Sequence, residues 1–220
     1  IWREEWVDDL IFYAAIGIVV GGRLGYVLFY GFERFIEDPL WALRVWEGGM
    51  AFHGGLLGVI AAVAYLSKAR QVAVGDLLDF VAPLAPIGLA LGRLGNLIGQ
   101  ELWGRAATVP WAMIFAKDPL QIPRNPSQLY QFALEGVLLF VIVYLFSRRP
   151  RPRWSVGGLF LLGYGLMRFI AEFFRAPDSH IGIDAFGWMT RGQALCVPMI
   201  VMGLYLLWWA YSRKPVGKVR

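Results

Sequence analysis

The stretch Gly158–Arg175, GLFLLGYGLMRFIAEFFR, decides the fold. It is apolar enough to lie in a bilayer, yet it holds Arg168 and Glu172. On a helix, Tyr164, Arg168, Glu172 and Arg175 fall at i, i+4, i+8 and i+11 and share one face. A charged side chain near the bilayer centre costs at least ~2.5–3.5 kcal/mol on insertion scales. A stretch that keeps two such residues pairs them or uses them. Arg168 and Glu172 can pair directly, which lowers the cost of burying either. An ion pair that only fixes helix packing is the competing reading.

The same combination recurs on both sides of this stretch. Arg93 sits in GRLGN with Asn96 three residues on, and Arg23 sits in GGRLGYVLFYG. Six runs approach the ~20 residues a spanning helix needs: roughly 11–30, 50–66, 77–99, 129–146, 157–174 and 194–212. The reading is an all-α polytopic membrane protein, with residues 1–220 as a single transmembrane domain. Composition agrees: 58% of residues are hydrophobic and 17% charged, with a mean hydropathy of +0.54. A soluble domain is nearer half apolar and a quarter charged. The chain opens at Ile1 in a polar stretch without a cleavable signal pattern. A further N-terminal helix is therefore expected to be missing, which would bring the total to seven. Gly21, Gly22 and Gly25, and then Gly54, Gly55 and Gly58, form small-residue faces on which helices pack closely.

The net charge of +5 does not point to nucleic acid, because the basic residues lie in short loops between apolar runs. The flanks 1–10, 67–76, 147–156 and 211–220 hold 11 Lys and Arg in 40 residues. The loops 31–49, 100–128 and 175–193 hold 7 in 67. The first set is therefore expected in the cytoplasm and the three loops on the outer, periplasmic side. Cys196 is the one cysteine, which excludes an internal disulfide and a Cys-based metal cluster. No HExxH, paired His/Cys spacing, P-loop or dinucleotide fingerprint occurs, so neither metal nor cofactor is expected.

Placed by depth on these spans, Arg23, His53, Arg93, Asn96, Glu135, Arg168 and Glu172 all fall in the outer half of the membrane. One polar pocket opening to the outer leaflet explains that bias. The anion most available there is a lipid phosphate. His53, in AFHGGLLG, has an unperturbed pKa suited to a general base at neutral pH. Arg23 serves either the pocket or simple helix packing. Glu135, in LEGVLLF, pairs with one of the arginines, and His180 lies in a solvated loop.

These residues also carry a family resemblance. GRLGNLIGQELWGR (Gly92–Arg105) resembles the signature segment of bacterial prolipoprotein diacylglyceryl transferases. So do GGRLGYVLFY (Gly21–Tyr30), RVWEGGMAFHGGLLG (Arg44–Gly58), PSQLYQFALEGV (Pro126–Val137) and GLFLLGYGLMRFIAEFFRAPD (Gly158–Asp178). The resemblance runs through essentially the whole chain, in order. It departs at Leu97 and Gly99, where the family pattern has Phe and Asn, and at Asn125 and Gln131, where it has His and Glu. A family helix near the N-terminus, with a functional Tyr, has no counterpart.

The resemblance implies transfer of the sn-1,2-diacylglyceryl group of phosphatidylglycerol to the thiol of a lipobox cysteine. The acceptor is a prolipoprotein signal peptide at the outer face of the bacterial inner membrane. The products are a thioether and glycerol 1-phosphate. It implies His53, Arg168, Asn96, Tyr164 and Glu172 as catalytic residues, and Arg93, Arg168, Glu101 and Gly104 as the phosphatidylglycerol site. A lipid or anion transporter and a structural assembly factor are the rival readings. A transporter would place its site near the midplane and often show internal repeats, and no repeat is evident.

Overall fold

The structure is a computed structural model that describes residues 4–176, 183–185 and 189–212. The side chains of Glu4, Phe52, His53, residues 183–185 and Arg191 lie outside the description. The described residues are mostly helical, and the chain divides into two compact units, Ile1–Leu77 and Leu78–Arg220.

In the first unit, α1 (Glu4–Tyr30) packs along α3 (Phe52–Arg70). The glycine faces expected from the sequence meet here. A Cβ added to Gly17, Gly21, Gly54 or Gly58 would run into the backbone of the facing helix. Without those side chains the two backbones approach closely, as small-residue helix pairs do in membranes. An Arg70–Asp9 ion pair joins the far ends of the two helices. Between them, α2 (Phe32–Glu37) and two 3₁₀ turns, Pro39–Leu43 and Val45–Glu47, build a compact loop.

The run at 77–99 is not one straight helix. It is α4 (Val74–Val81) and α5 (Ala85–Ile98), bent by 45°. Pro83 lies in the break and Pro86 in the first turn of α5, and proline removes a helical N–H and crowds the preceding turn. Next come α6 (Ser127–Gln131), a π-helical stretch (Phe132–Leu138) and α7 (Leu139–Ser147), which form one continuous span. In the second unit α8 (Ser155–Ala171) packs along α9 (Arg191–Ser212), with Gly158 and Gly203 at the contact. The carboxylate of Asp79 starts α8 by accepting from the backbone N–H of Trp154 (2.6 Å) and Gly157 (2.7 Å). This satisfies donors that a helix start otherwise leaves orphaned. Leu139, Val143, Val156, Met167 and Ala82 form the apolar core beside these contacts. A short pair of strands, β1 (Ile183–Ala185) and β2 (Met189–Thr190), is antiparallel.

Three helices among the described residues are long and apolar enough to cross a bilayer: Glu5–Tyr30, Ser127–Ser147 and Gly192–Ser212. The bent pair α4–α5 makes a fourth if it is one span. At most 28% of the residues in each of the three windows are buried within the protein. The remaining apolar surface needs a hydrocarbon solvent. α8 is shorter than the run at 157–174 suggested, because the chain leaves the helix before Phe174. The carbonyl of Phe174 accepts from Arg105 N–H instead (2.9 Å).

Candidate active site in the second unit

Close packing of α5 on the π-helical stretch sets up the site. A Cβ on Gly136 would come within 2.6 Å of the Ala90 methyl, so the two backbones meet there. Arg93 follows Ala90 by three residues and Glu135 precedes Gly136 by one, so both charges reach the same contact. Glu135 is fully buried. Its Oε2 accepts from Arg93 Nη2 (2.9 Å) and Nε (3.3 Å). Its Oε1 lies 3.5 Å from Arg168 Nη1. One carboxylate therefore serves both arginines that the sequence singled out as an anion-binding pair.

The ladder continues along α8. Arg168 Nη2 pairs with Glu172 Oε2 at 2.7 Å, the i, i+4 pair expected from the sequence. Glu172 also lies 3.8 Å from Arg175 Nη1 and accepts from Thr190 Oγ1 (3.3 Å). Arg175 lies beyond the helix end rather than on a continuous helical face, and it reaches Glu172 nonetheless. Three guanidinium groups thus share two carboxylates. The side chains of Arg93 and Arg168 remain 16% and 12% exposed while Glu135 is at 0%. The two guanidinium groups are therefore on the more accessible side of the ladder.

Two glutamines, given no role in the sequence analysis, complete the surroundings. Gln131 Oε1 accepts from Arg168 Nη1 at 3.0 Å. Gln128 Nε2 donates to the Glu101 carbonyl at 2.6 Å. Both side chains are only 1% exposed, and Ser127 beside them is fully buried. The spacing of Gln128, Gln131 and Glu135, at i, i+3 and i+7, was a usable signal for one polar helical face.

The folded loop 100–126 holds these segments in place. Gly104 N–H donates to the Asn125 carbonyl (2.9 Å), and Asn125 N–H donates to the Arg105 carbonyl (2.9 Å). Arg105 Nε donates to the Arg175 carbonyl (3.0 Å). A Cβ at Gly104 would collide with the carbonyl oxygens of Asn125 and Phe174, so only glycine fits between those strands. Gly104 thus acts through the backbone that carries Arg175 and the α6 glutamines. Further along, Arg124 Nε and Nη2 hold Asp118 at 2.6 and 3.0 Å. That pairing, helped by the Leu120 N–H, keeps the Asp118 carboxyl below the usual carboxylate range.

The other expected site residues are less engaged. The side chain of Asn96 makes no hydrogen bond among the described residues, and its carbonyl accepts from Glu101 N–H (2.9 Å). The side chain of Glu101 is exposed and lies beside Gly99. Tyr164 packs against the apolar core and stacks on Phe160 with centroids 5.9 Å apart. His53 is the second residue of α3 in the first unit, and its side chain lies outside the described residues.

A model of the family described as prolipoprotein diacylglyceryl transferase matches residues 1–209. The chain belongs to that family. A Pseudomonas putida relative, named phosphatidylglycerol–prolipoprotein diacylglyceryl transferase, is 57% identical over 219 residues. The match spans 99% of this chain and 82% of the relative. A Teredinibacter turnerae relative of the same name is 59% identical over 209 residues, spanning 95% of this chain and 73% of the relative. An Ectopseudomonas mendocina relative of that name is 55% identical over 215 residues, 98% of this chain and 81% of the relative. In this family frame the Arg93–Glu135–Arg168–Glu172–Arg175 ladder is the candidate active centre. Among the described residues no group of His, Cys, Asp and Glu is arranged to hold a metal ion.

Arg23, which the sequence left between pocket and packing, belongs to a different kind of site. It is 4% exposed and spends its donors on backbone carbonyls. Nε donates to Ala42 (2.9 Å), Nη1 to Gly48 and Gly49, and Nη2 to Trp41. Gly48 and Gly49 both have φ +82°, a backbone conformation that glycine adopts freely. The Trp41 ring is flanked by Arg23 and Arg34, each 4.6 Å from its centroid. Arg23 is the clamp of the 31–49 loop.

Proposed function

We propose that this chain transfers the sn-1,2-diacylglyceryl group of phosphatidylglycerol to the thiol of a prolipoprotein lipobox cysteine. A carbon–sulfur bond forms at the glyceryl carbon that bore the phosphate, and the carbon–oxygen bond to that phosphate breaks. The bonding electrons leave on the phosphate oxygen, and the thiol proton passes to a base. The products are a thioether and glycerol 1-phosphate. The observation that carries this reading is that Arg93 and Arg168, 42 and 33 residues from Glu135, converge on its one buried carboxylate. A phosphodiester carries one negative charge and gains another as it departs. Arg93 and Arg168 meet that charge through charge-assisted hydrogen bonds in a low-dielectric setting, where such contacts stabilise a transition state most.

In this reading Glu172 braces Arg168, and Asn96, Glu101 and Tyr164 orient the lipid headgroup. Gly104 holds the backbone that carries the site. His53 is the candidate base, supported by its motif and by the suitability of an imidazole for proton transfer near neutral pH. A nearby arginine that lowers the thiol pKa is the alternative route to the thiolate. The chain crosses the bacterial inner membrane six times, with loops 31–49, 100–128 and 175–193 on the periplasmic side. The skew of Lys and Arg between loop sets supports that orientation.

The test is the mass of a lipobox peptide after incubation with the protein in phosphatidylglycerol proteoliposomes. Addition of a diacylglyceryl group is expected. Lipid movement without addition would mean a transporter, and neither result would mean a scaffold.

A further inference from the structure

Gln128 and Gln131 each leave one polar atom without a partner in the core beside Arg168. The unpartnered atoms are Gln128 Oε1 and Gln131 Nε2, both cut off from solvent. Their identity does not depend on how the amides are oriented. Arg168 is a donor only, so the Gln131 oxygen must face it and the nitrogen is left over. The Glu101 carbonyl is an acceptor only, so the Gln128 nitrogen must face it and the oxygen is left over. One buried donor and one buried acceptor therefore stand three residues apart on one face of α6. Buried polar groups are nearly always paired, and each exception calls for a missing partner.

We infer that Gln128 and Gln131 recognise a hydroxyl of the phosphatidylglycerol headgroup while Arg168 holds the adjoining phosphate. A hydroxyl fits because it donates and accepts at once. It would donate to Gln128 Oε1 and accept from Gln131 Nε2. Phosphatidylglycerol presents hydroxyls a few bonds from its phosphate, and Arg168 sits 3.0 Å from the Gln131 amide that makes half of this contact. The inference rests on the transferase reading and adds a selectivity rule to it. The two glutamines make the site prefer a headgroup that bears hydroxyls.

The test compares kcat/KM for phosphatidylglycerol with that for phosphatidylpropanol, the same lipid without headgroup hydroxyls. The wild-type protein is expected to favour phosphatidylglycerol by at least about tenfold, since an unfilled donor–acceptor pair penalises the deoxy analogue. Gln131→Met should bring that ratio to within about threefold of unity, because the donor is gone. Gln131→Asn, which draws the amide back by one methylene, gives the same readout with less disturbance of the core. Gln131→Glu should also lose the preference, because its carboxylate still accepts from Arg168 but offers the hydroxyl no donor. A wild-type ratio near one overturns the proposal. So does a wild-type ratio retained by both Gln131→Met and Gln131→Asn, which would mean that a buried water fills the gap. The peptide-mass assay on phosphatidylglycerol alone judges the transferase reading, while the ratio between lipids judges this one.

Discussion

Arg23 and Arg168 are both arginines in apolar helices, and both are nearly buried, yet their surroundings differ in kind. Arg23 is surrounded by carbonyl oxygens from Trp41, Ala42, Gly48 and Gly49. Arg168 is surrounded by the carboxylates of Glu135 and Glu172 and the amide of Gln131. Backbone dipoles are fixed and cannot leave, so Arg23 is committed to holding a loop. Carboxylates share their charge among several partners, so the ladder can rearrange around an arriving anion. A membrane arginine is thus informative through what surrounds it, more than through its presence.

Three experiments press on that contrast. The largest effect is expected from Arg168→Ala, which should lower transfer by at least about a hundredfold, the scale of losing one transition-state donor. The variant should still insert in the membrane, and product mass in proteoliposomes is the readout. Near-normal product would place the chemistry elsewhere. Arg23→Ala should show the reverse pattern. Orphaned buried carbonyls cost ~1–3 kcal/mol in stability, visible as a lower melting temperature in detergent, while KM for phosphatidylglycerol stays within about twofold. Lost turnover at unchanged melting temperature would collapse the distinction between the two arginines.

The smallest effect concerns the Asp118–Arg124 pair of the 100–126 loop. The Asp118 pKa is lowered on folding, so its contribution is present above the unfolded value of about 4 and fades as pH falls through the folded value. Melting temperature should therefore be steady from neutral pH down to about 5 and decline below about 4. Asp118→Asn should remove part of that decline. An identical acid limb in both proteins would show that the pair contributes nothing.

What the sequence made legible follows from chain distance. Arg168–Glu172 was readable because helical periodicity brings i and i+4 together. Arg93–Glu135 spans 42 residues, so the sequence said only that each charge needed a partner. The carbonyl cage of Arg23 was invisible, since every residue carries a carbonyl and only the loop's path selects four of them. The break between α4 and α5 was signalled by Pro83 and Pro86, but a count of apolar residues passed over it. The opposed glycines of α1 and α3 were readable as faces, though not as a register. The two orphaned amide atoms of α6 could only be found once the partners of both glutamines were known.

The π-helical stretch Phe132–Leu138 has one more consequence. Its i→i+5 bonding makes a wider turn than the α-helices on either side. An α-helix turns ~100° per residue, so a wide turn acts as a phase shifter in the span. Upstream, Gln131 faces the polar ladder, while downstream Leu139 and Val143 face the apolar core. The wide turn offsets the two halves, so the polar and apolar faces are aimed in different directions along one span. Removing a single residue from this stretch would cancel the offset and force either Gln131 or the core leucine to point the wrong way.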